Sequence, residues 1–108
     1  YHPALSTHPD NAIFNDLFSG TSGLFSFALH CEEAAALDRF FKTFQLFGFG
    51  FSWGGFESLI LPCNPQLKRS TSDRWKSGSY GTLVRVQIGL EDEADLITEL
   101  QQALSELH

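Results

Sequence analysis

The sequence predicts an α+β two-layer sandwich, in which about four short, mainly antiparallel strands carry their helices on one face. Three observations lead there. Hydrophobic periodicity gives the order helix, strand, helix, three strands, helix, so the helices are pooled and do not alternate strictly with strands. Glycine and proline bound the strand-length runs, which favours tight turns over crossover helices. At 108 residues the chain is one domain, long enough to bury about two-thirds of its extended surface.

Each element follows from its residues. The two X-Pro steps in residues 1–9 force extended backbone and mark a connecting segment, which leaves 10–108 as the domain. Asp10 is placed to cap a short helix with Ile13, Phe14 and Leu17 as its apolar stripe, ended by the Ser19–Gly23 turn. In Leu24–Leu29, Phe25, Phe27 and Leu29 alternate with Ser26 and Ala28 as in a strand. Over Glu32–Phe47, apolar residues recur at three and four, and Glu32 and Glu33 suit the first turn of a helix. Phe49–Trp53 and Ser58–Leu61 read as two strands around the Gly54-Gly55 bend, closed off by Pro62 and Pro65. Asn64–Tyr80, with Lys68, Arg69, Arg74 and Lys76, reads as a long basic loop. Leu83–Ile88 is the fourth strand. Asp92 then caps a last helix, with Asp95 three residues on and Leu96, Ile97, Leu100, Leu104 and Leu107 along one face.

Composition excludes several classes of function. A net charge of −6, with only acidic charges between Glu91 and Glu106, makes a poor ligand for nucleic acid or an anionic membrane. Nothing approaches the run of roughly 18 apolar residues that a membrane span needs. Cys31 and Cys63 read as two free thiols of a cytoplasmic protein, and the scattered histidines form no zinc-ligand spacing, so no metal is expected. His8 and His30 have no partner at the spacing of a nucleophilic triad, and neither GxxxxGK nor GxGxxG occurs.

Two stretches invite chemistry. Seven of the eleven phenylalanines fall between Phe40 and Phe56, and they lead into Ser52-Trp53-Gly54-Gly55-Phe56-Glu57-Ser58, where adjacent glycines let consecutive N–H groups face an anion. On local pattern alone this is a turn with an aromatic anchor, and Glu57 a carboxylate accepting nearby backbone N–H groups. The second stretch sets Arg85 in the middle of a β-branched run, on the face opposite Val84, Val86 and Ile88. Periodicity alone makes it a strand residue whose stem packs down and whose head is solvated.

Ser22-Gly-Leu-Phe-Ser-Phe27, Phe49-Gly-Phe-Ser-Trp-Gly-Gly-Phe-Glu-Ser-Leu-Ile60 and the stretch from Gly81 to Leu96 resemble the C-terminal domain of the cystathionine β-lyase family, pyridoxal-phosphate enzymes of cysteine and methionine metabolism. The likeness runs from about His8 to the C-terminus. It is similar to the smaller part of such an enzyme, whose large cofactor-binding domain would lie upstream. Trp53 looks like the β-lyases in particular, since γ-lyases and γ-synthases usually carry a smaller aliphatic residue there. Phe51 stands where a tyrosine is common, so this chain has no hydroxyl at that position.

The resemblance implies a role for three residues. Arg85 falls on the position that holds the substrate's α-carboxylate, for which a planar guanidinium fork is suited. Ser52 matches a serine near the cofactor-bearing lysine, and the N–H of Trp53 matches one that helps to bind the same carboxylate. The implied reaction of the full-length enzyme, a carbon–sulfur lyase, splits cystathionine into homocysteine, pyruvate and ammonia, with pyridoxal 5'-phosphate as electron sink and cystathionine or a cysteine-like amino acid as the substrate. The implied partners are the large domain of the same chain and further copies in a homo-oligomer, with no nucleic acid and no membrane. Lys42, Lys68 and Lys76 lie in no context like the family's cofactor-bearing lysine, so no catalytic residue and no bound cofactor are expected in these residues, and the isolated chain is expected to be inactive. Two alternatives stay open: a free-standing amino-acid-binding module, and the same domain of a γ-lyase or γ-synthase.

Overall fold

The computed structural model describes residues 2–66 and 81–108. Helices α1 (Asn11–Leu17), α2 (Ala34–Thr43) and α3 (Glu93–Ser105) and strands β1 (Leu24–Leu29), β2 (Gly48–Phe49), β3 (Leu59–Pro62) and β4 (Thr82–Gln87) follow in the order α1, β1, α2, β2, β3, β4, α3. The sheet runs β1-β4-β3-β2. Strand β4 is antiparallel to both its neighbours, and β2 lies parallel to β3 over two residues. The architecture is the expected α+β sandwich, with one parallel pair at its edge.

Pairing register explains which face is buried. Phe25 lies opposite Val86 and Phe27 opposite Val84, and on the other side of β4 Ile60 lies opposite Val86, so these side chains share one face. Phe40 of α2 and Leu96 and Ala103 of α3 close over it, which puts both helices on the same layer. Phe40 is 0% exposed, and the rings of Phe41 and Phe44 meet it edge-on at 4.9 and 5.1 Å. Truncating a phenylalanine so enclosed costs about 3–5 kcal/mol.

Helix α2 is shorter than the expected 32–47. It begins at Ala34 and gives way to extended backbone at Phe44, because the N–H groups of Gln45, Leu46 and Phe47 turn to the Glu99 carboxylate of α3. Gly48 therefore opens β2 and does not stop a helix. The expected strand 49–53 shrinks to Gly48–Phe49, and Phe51 to Trp53 leave the ladder for a loop. Phe49 lies opposite Ile60, and its ring meets Phe41 at 6.2 Å, so it belongs to the helix side of the sheet.

Strand β3 extends through Pro62, and β4 starts at Thr82, each within a residue of expectation. A 3₁₀ turn over Asn64–Gln66 follows β3. The Asn64 amide donates to the Gly81 carbonyl at 3.3 Å, and its oxygen accepts the Leu83 N–H at 2.7 Å. At Gly81 φ is +78°, and an added Cβ would stand 2.0 Å from the Leu29 carbonyl oxygen, so the chain can enter β4 there only as glycine. The basic cluster Lys68 to Lys76 lies outside the described residues.

The caps divide. Asp92 Oδ1 accepts from Ala94 and Asp95 N–H at 2.9 and 3.3 Å, as the sequence implies. Asp10 stands at the N-cap of α1, but its side chain makes no capping bond. No residue of α1 is buried, and Ile13 and Leu17, expected as its packing stripe, are exposed. The segment before it is tied to α1 at one point, where Asn11 Nδ2 donates to the Pro3 carbonyl at 2.9 Å.

Candidate functional site

Alternation along β4 sends Val84 and Val86 into the helix layer and Leu83, Arg85 and Gln87 to the other side of the sheet. On that side Arg85 lies between Ser26 of β1 and Leu61 of β3. Leu61 and Gln87 are buried there, so the arginine rises from a partly covered surface and is itself half-buried.

The guanidinium reaches the loop after β2. Arg85 Nη2 donates to the Phe51 carbonyl and, at 3.5 Å, to the Ser52 carbonyl. Arg85 and Ser52 are thus brought together, although the arginine touches the serine's backbone and not its hydroxyl. Among the described residues no carboxylate lies within ion-pair distance of Arg85, so none of them neutralises its charge. The neighbouring Cys63 thiol registers that charge. Burial raises its pKa, opposed by the arginine's field and by a hydrogen bond to the Arg85 backbone. Cys63 and Cys31 are both free thiols.

Beyond Ser52 the chain is exposed through Glu57, and Trp53 keeps 64% of its surface in solvent. Gly54 has φ +76°, which a side chain would resist, while neither it nor Gly55 would clash through an added Cβ. Trp53, Gly54 and Gly55 form one wall of a cleft of about 350 Å³; Ser22, Gly23 and Leu24 form the other, and Gln87 also lines it. The three motif stretches, separated in sequence, therefore meet.

The far end of the loop is fastened by residues that sequence reasoning did not single out. Ser58 is 0% exposed; its hydroxyl donates to Glu91 Oε2 at 2.7 Å and accepts the Gly89 N–H at 2.8 Å, and its N–H donates to Glu91 Oε1 at 2.8 Å. Leu90 N–H donates to the Phe56 carbonyl, and Ile88 N–H to the Gly23 carbonyl, both at 2.8 Å. Gly89 has no room for a side chain, since an added Cβ would lie 2.2 Å from the Phe56 oxygen. The bonds from Ser58 hold the Glu91 carboxyl below its ordinary pKa. Glu57, expected to accept backbone N–H groups here, is exposed, and Glu91 takes that part from across the fold.

Lys42 is the lysine among the described residues; it sits on the outer face of α2, paired with Asp38 at 2.6 Å and 75% exposed. No group of three or more histidine, cysteine, aspartate or glutamate side chains among the described residues could hold a metal ion. No helix among them is long and apolar enough to cross a membrane.

Residues 1–105 match the family model described as Cys/Met metabolism PLP-dependent enzyme. The cystathionine β-lyase of Bordetella avium is 46% identical over 105 residues, covering 96% of this chain and 26% of the relative. The L-alanine/L-glutamate racemase of Wolbachia pipientis wMel is 41% identical over 111 residues, covering 98% of this chain and again 26% of the relative. Among solved structures, cystathionine γ-synthase from Xanthomonas oryzae pv. oryzae in complex with cystathionine superposes with a TM-score of 0.81 at 31% identity, over 99% of this chain and 28% of that one. The chain thus spans close to a quarter of the length of the proteins it matches.

Proposed function

Because the chain belongs to the pyridoxal-phosphate-dependent enzymes of cysteine and methionine metabolism, we propose that it is the carboxylate-orienting C-terminal domain of a cytoplasmic carbon–sulfur lyase acting on cystathionine or a cysteine-like amino acid. One observation carries this reading. Arg85 is half-buried and without a carboxylate partner among the described residues, and it leans against the loop whose next residues are Trp53, Gly54 and Gly55. A guanidinium in that state favours an anion that arrives from outside the fold.

Both of its bonds to the loop leave from Nη2, which belongs to both forks of the guanidinium, so a carboxylate held two-pronged through Nη2 with Nε or Nη1 would share Nη2 with the loop or take over the 3.5 Å bond to Ser52. The Trp53 N–H would add a third donor. Fixing the carboxylate fixes the rest of a small amino acid, and positioning of this order can be worth about 7–11 kcal/mol in favourable cases. The cofactor, which supplies the electron sink, would be held by another part of the enzyme, since Lys42, the lysine among the described residues, is exposed and paired with Asp38. In this reading residues 10–108 are the small domain, the large domain and further copies complete the enzyme, and the isolated chain is inactive.

A γ-synthase or γ-lyase specificity is the second reading, favoured by the likeness to the Xanthomonas γ-synthase. The exposed indole of Trp53 at the cleft favours the β-lyase. One chimaera separates them. Residues 1–108 replace the matching quarter of the Bordetella avium β-lyase, and pyruvate release from cystathionine is compared with 2-oxobutyrate release. Pyruvate is expected; 2-oxobutyrate would move the assignment to the γ-enzymes, and a folded chimaera inert with every amino acid would return it to a binding module.

A further inference from the structure

The loop that carries Trp53 is held at two posts. At its start Arg85 Nη2 grips the carbonyls of Phe51 and Ser52. At its end Ser58 is fixed through both its N–H and its hydroxyl by one carboxylate, that of Glu91. Between the posts, a side chain added at Gly54 or Gly55 would meet nothing within 4 Å, so this stretch of the loop is loosely packed among the described residues. The geometry of Trp53 is therefore set by its two ends.

The second post is also tied to the opposite wall of the cleft. Ile88, one residue before Gly89, donates its N–H to Gly23, and Gly89 donates to Ser58 Oγ. Residues 88–91 thus join the 22–24 wall to the 53–55 wall, and Glu91 is the charged member of the joint. Such a joint costs more than a surface contact would account for. Ser58 is sealed from solvent, and with Glu91 gone it would keep an N–H and an O–H with no acceptor.

We infer that Glu91 is a positioning residue for the substrate carboxylate: by fixing Ser58 it sets the span of the Trp53–Gly55 loop, and so aligns the Trp53 N–H with the guanidinium of Arg85. It touches no reacting atom. The inference rests on the carboxylate-binding reading given above and adds a residue that acts on that site from outside it.

The test is a double-mutant cycle in the full-length enzyme, using Glu91→Ala, Glu91→Gln and Arg85→Ala. Activity is read on the amino-acid substrate and on an analogue lacking the α-carboxylate, at a temperature where circular dichroism shows every variant folded. Glu91→Ala is expected to lower kcat/KM for the carboxylate substrate by about 10- to 100-fold and to leave the analogue unchanged. Glu91→Gln, which keeps an acceptor for the Ser58 N–H, should recover part of the loss. In the Arg85→Ala background the same Glu91→Ala change should cost less than about threefold, because the arm it aligns has nothing left to align with.

Additive losses, or equal losses on substrate and analogue, would make Glu91 a fold residue and overturn the inference while leaving the role of Arg85 intact. If Arg85→Ala keeps the wild-type preference for the carboxylate substrate, the reading of the site and the inference fall together. Should Glu91→Ala not fold, Glu91→Gln carries the same cycle with a smaller expected effect and the same two signs.

Discussion

Glu99 of α3 accepts the backbone N–H of Phe47 at 3.1 Å, and the same carboxylate also takes the N–H groups of Gln45 and Leu46. One buried side chain thereby ends α2, aims the chain into β2 and joins the two helices of the layer. Glu99→Ala would strand three donors, so it is expected to destabilise the domain by about 2–4 kcal/mol. Glu99→Gln, with one acceptor oxygen left, should cost less. Urea unfolding of the three proteins gives both values, and equal stabilities would mean that water replaces the carboxylate without loss.

Arg85→Ala in the full-length enzyme is expected to lower kcat/KM by roughly 10²–10³. Arg85→Lys should recover little, because a point charge cannot reproduce the fork. The fold should barely change, since the bonds from Arg85 to Phe51 and Ser52 are exposed. A melting curve recorded beside the kinetics separates the two effects.

The Ser58–Glu91 joint carries a pH signature with a fixed sign. The Glu91 pKa is lowered from its ordinary 4.5, first by the Ser58 N–H and then by the Ser58 hydroxyl. A carboxyl held low when folded adds stability above its unfolded pKa, and the gain disappears as pH falls through the folded value. Wild type should therefore exceed Glu91→Gln in stability at pH 7 and hold that margin down to about pH 5, then lose it in more acid solution. A margin that grows below pH 4 would reverse the sign and remove the hydrogen bonds as its cause.

Two glycines near the loop should differ in their response to a side chain. Gly89→Ala sets a Cβ against the Phe56 oxygen, Glu57 and Ser58 backbone atoms, where no side chain can swing away, and is expected to cost about 2 kcal/mol or more. Gly55→Ala meets open space at an ordinary φ and should fall within about 0.5 kcal/mol of wild type. Thermal melts of the pair suffice. If the two variants melt alike, the close approach at Gly89 is relieved by movement of the 56–58 backbone.

The fold was most legible where a local pattern and its burial agree. The alternation about Val84 and Val86 and the Asp92 cap could be read directly, because strand faces and N-caps depend on neighbours in sequence. Helix α2 was overextended because Phe44 and Phe47 keep helical spacing, while the group that unwinds the chain there, Glu99, comes from across the fold. The apolar stripe of α1 was equally regular, yet only Phe14 packs, against His2 and Phe18, while Ile13 and Leu17 stay exposed. For the site, Arg85 and the glycine pair stand out by residue type. Ser58 and Glu91 do not: each lies inside a quoted motif, but a serine and a glutamate 33 residues apart show no pattern until the fold joins them.

Strand β4 lies between β1 and β3 in the sheet but follows both in the chain, and this orders events during synthesis. When the ribosome has made residues up to Pro62, β1 and β3 exist with the place between them empty, and the phenylalanines of α2 have no sheet to cover. At translation speeds of about 5–20 residues per second, that state lasts on the order of seconds. Two strands then find their common neighbour in one late, long-range step, which favours slow closure. A chain cut short before Thr82 is thus no smaller version of the domain; it is a pair of open strand edges beside uncovered aromatic rings, the form in which a polypeptide most readily aggregates.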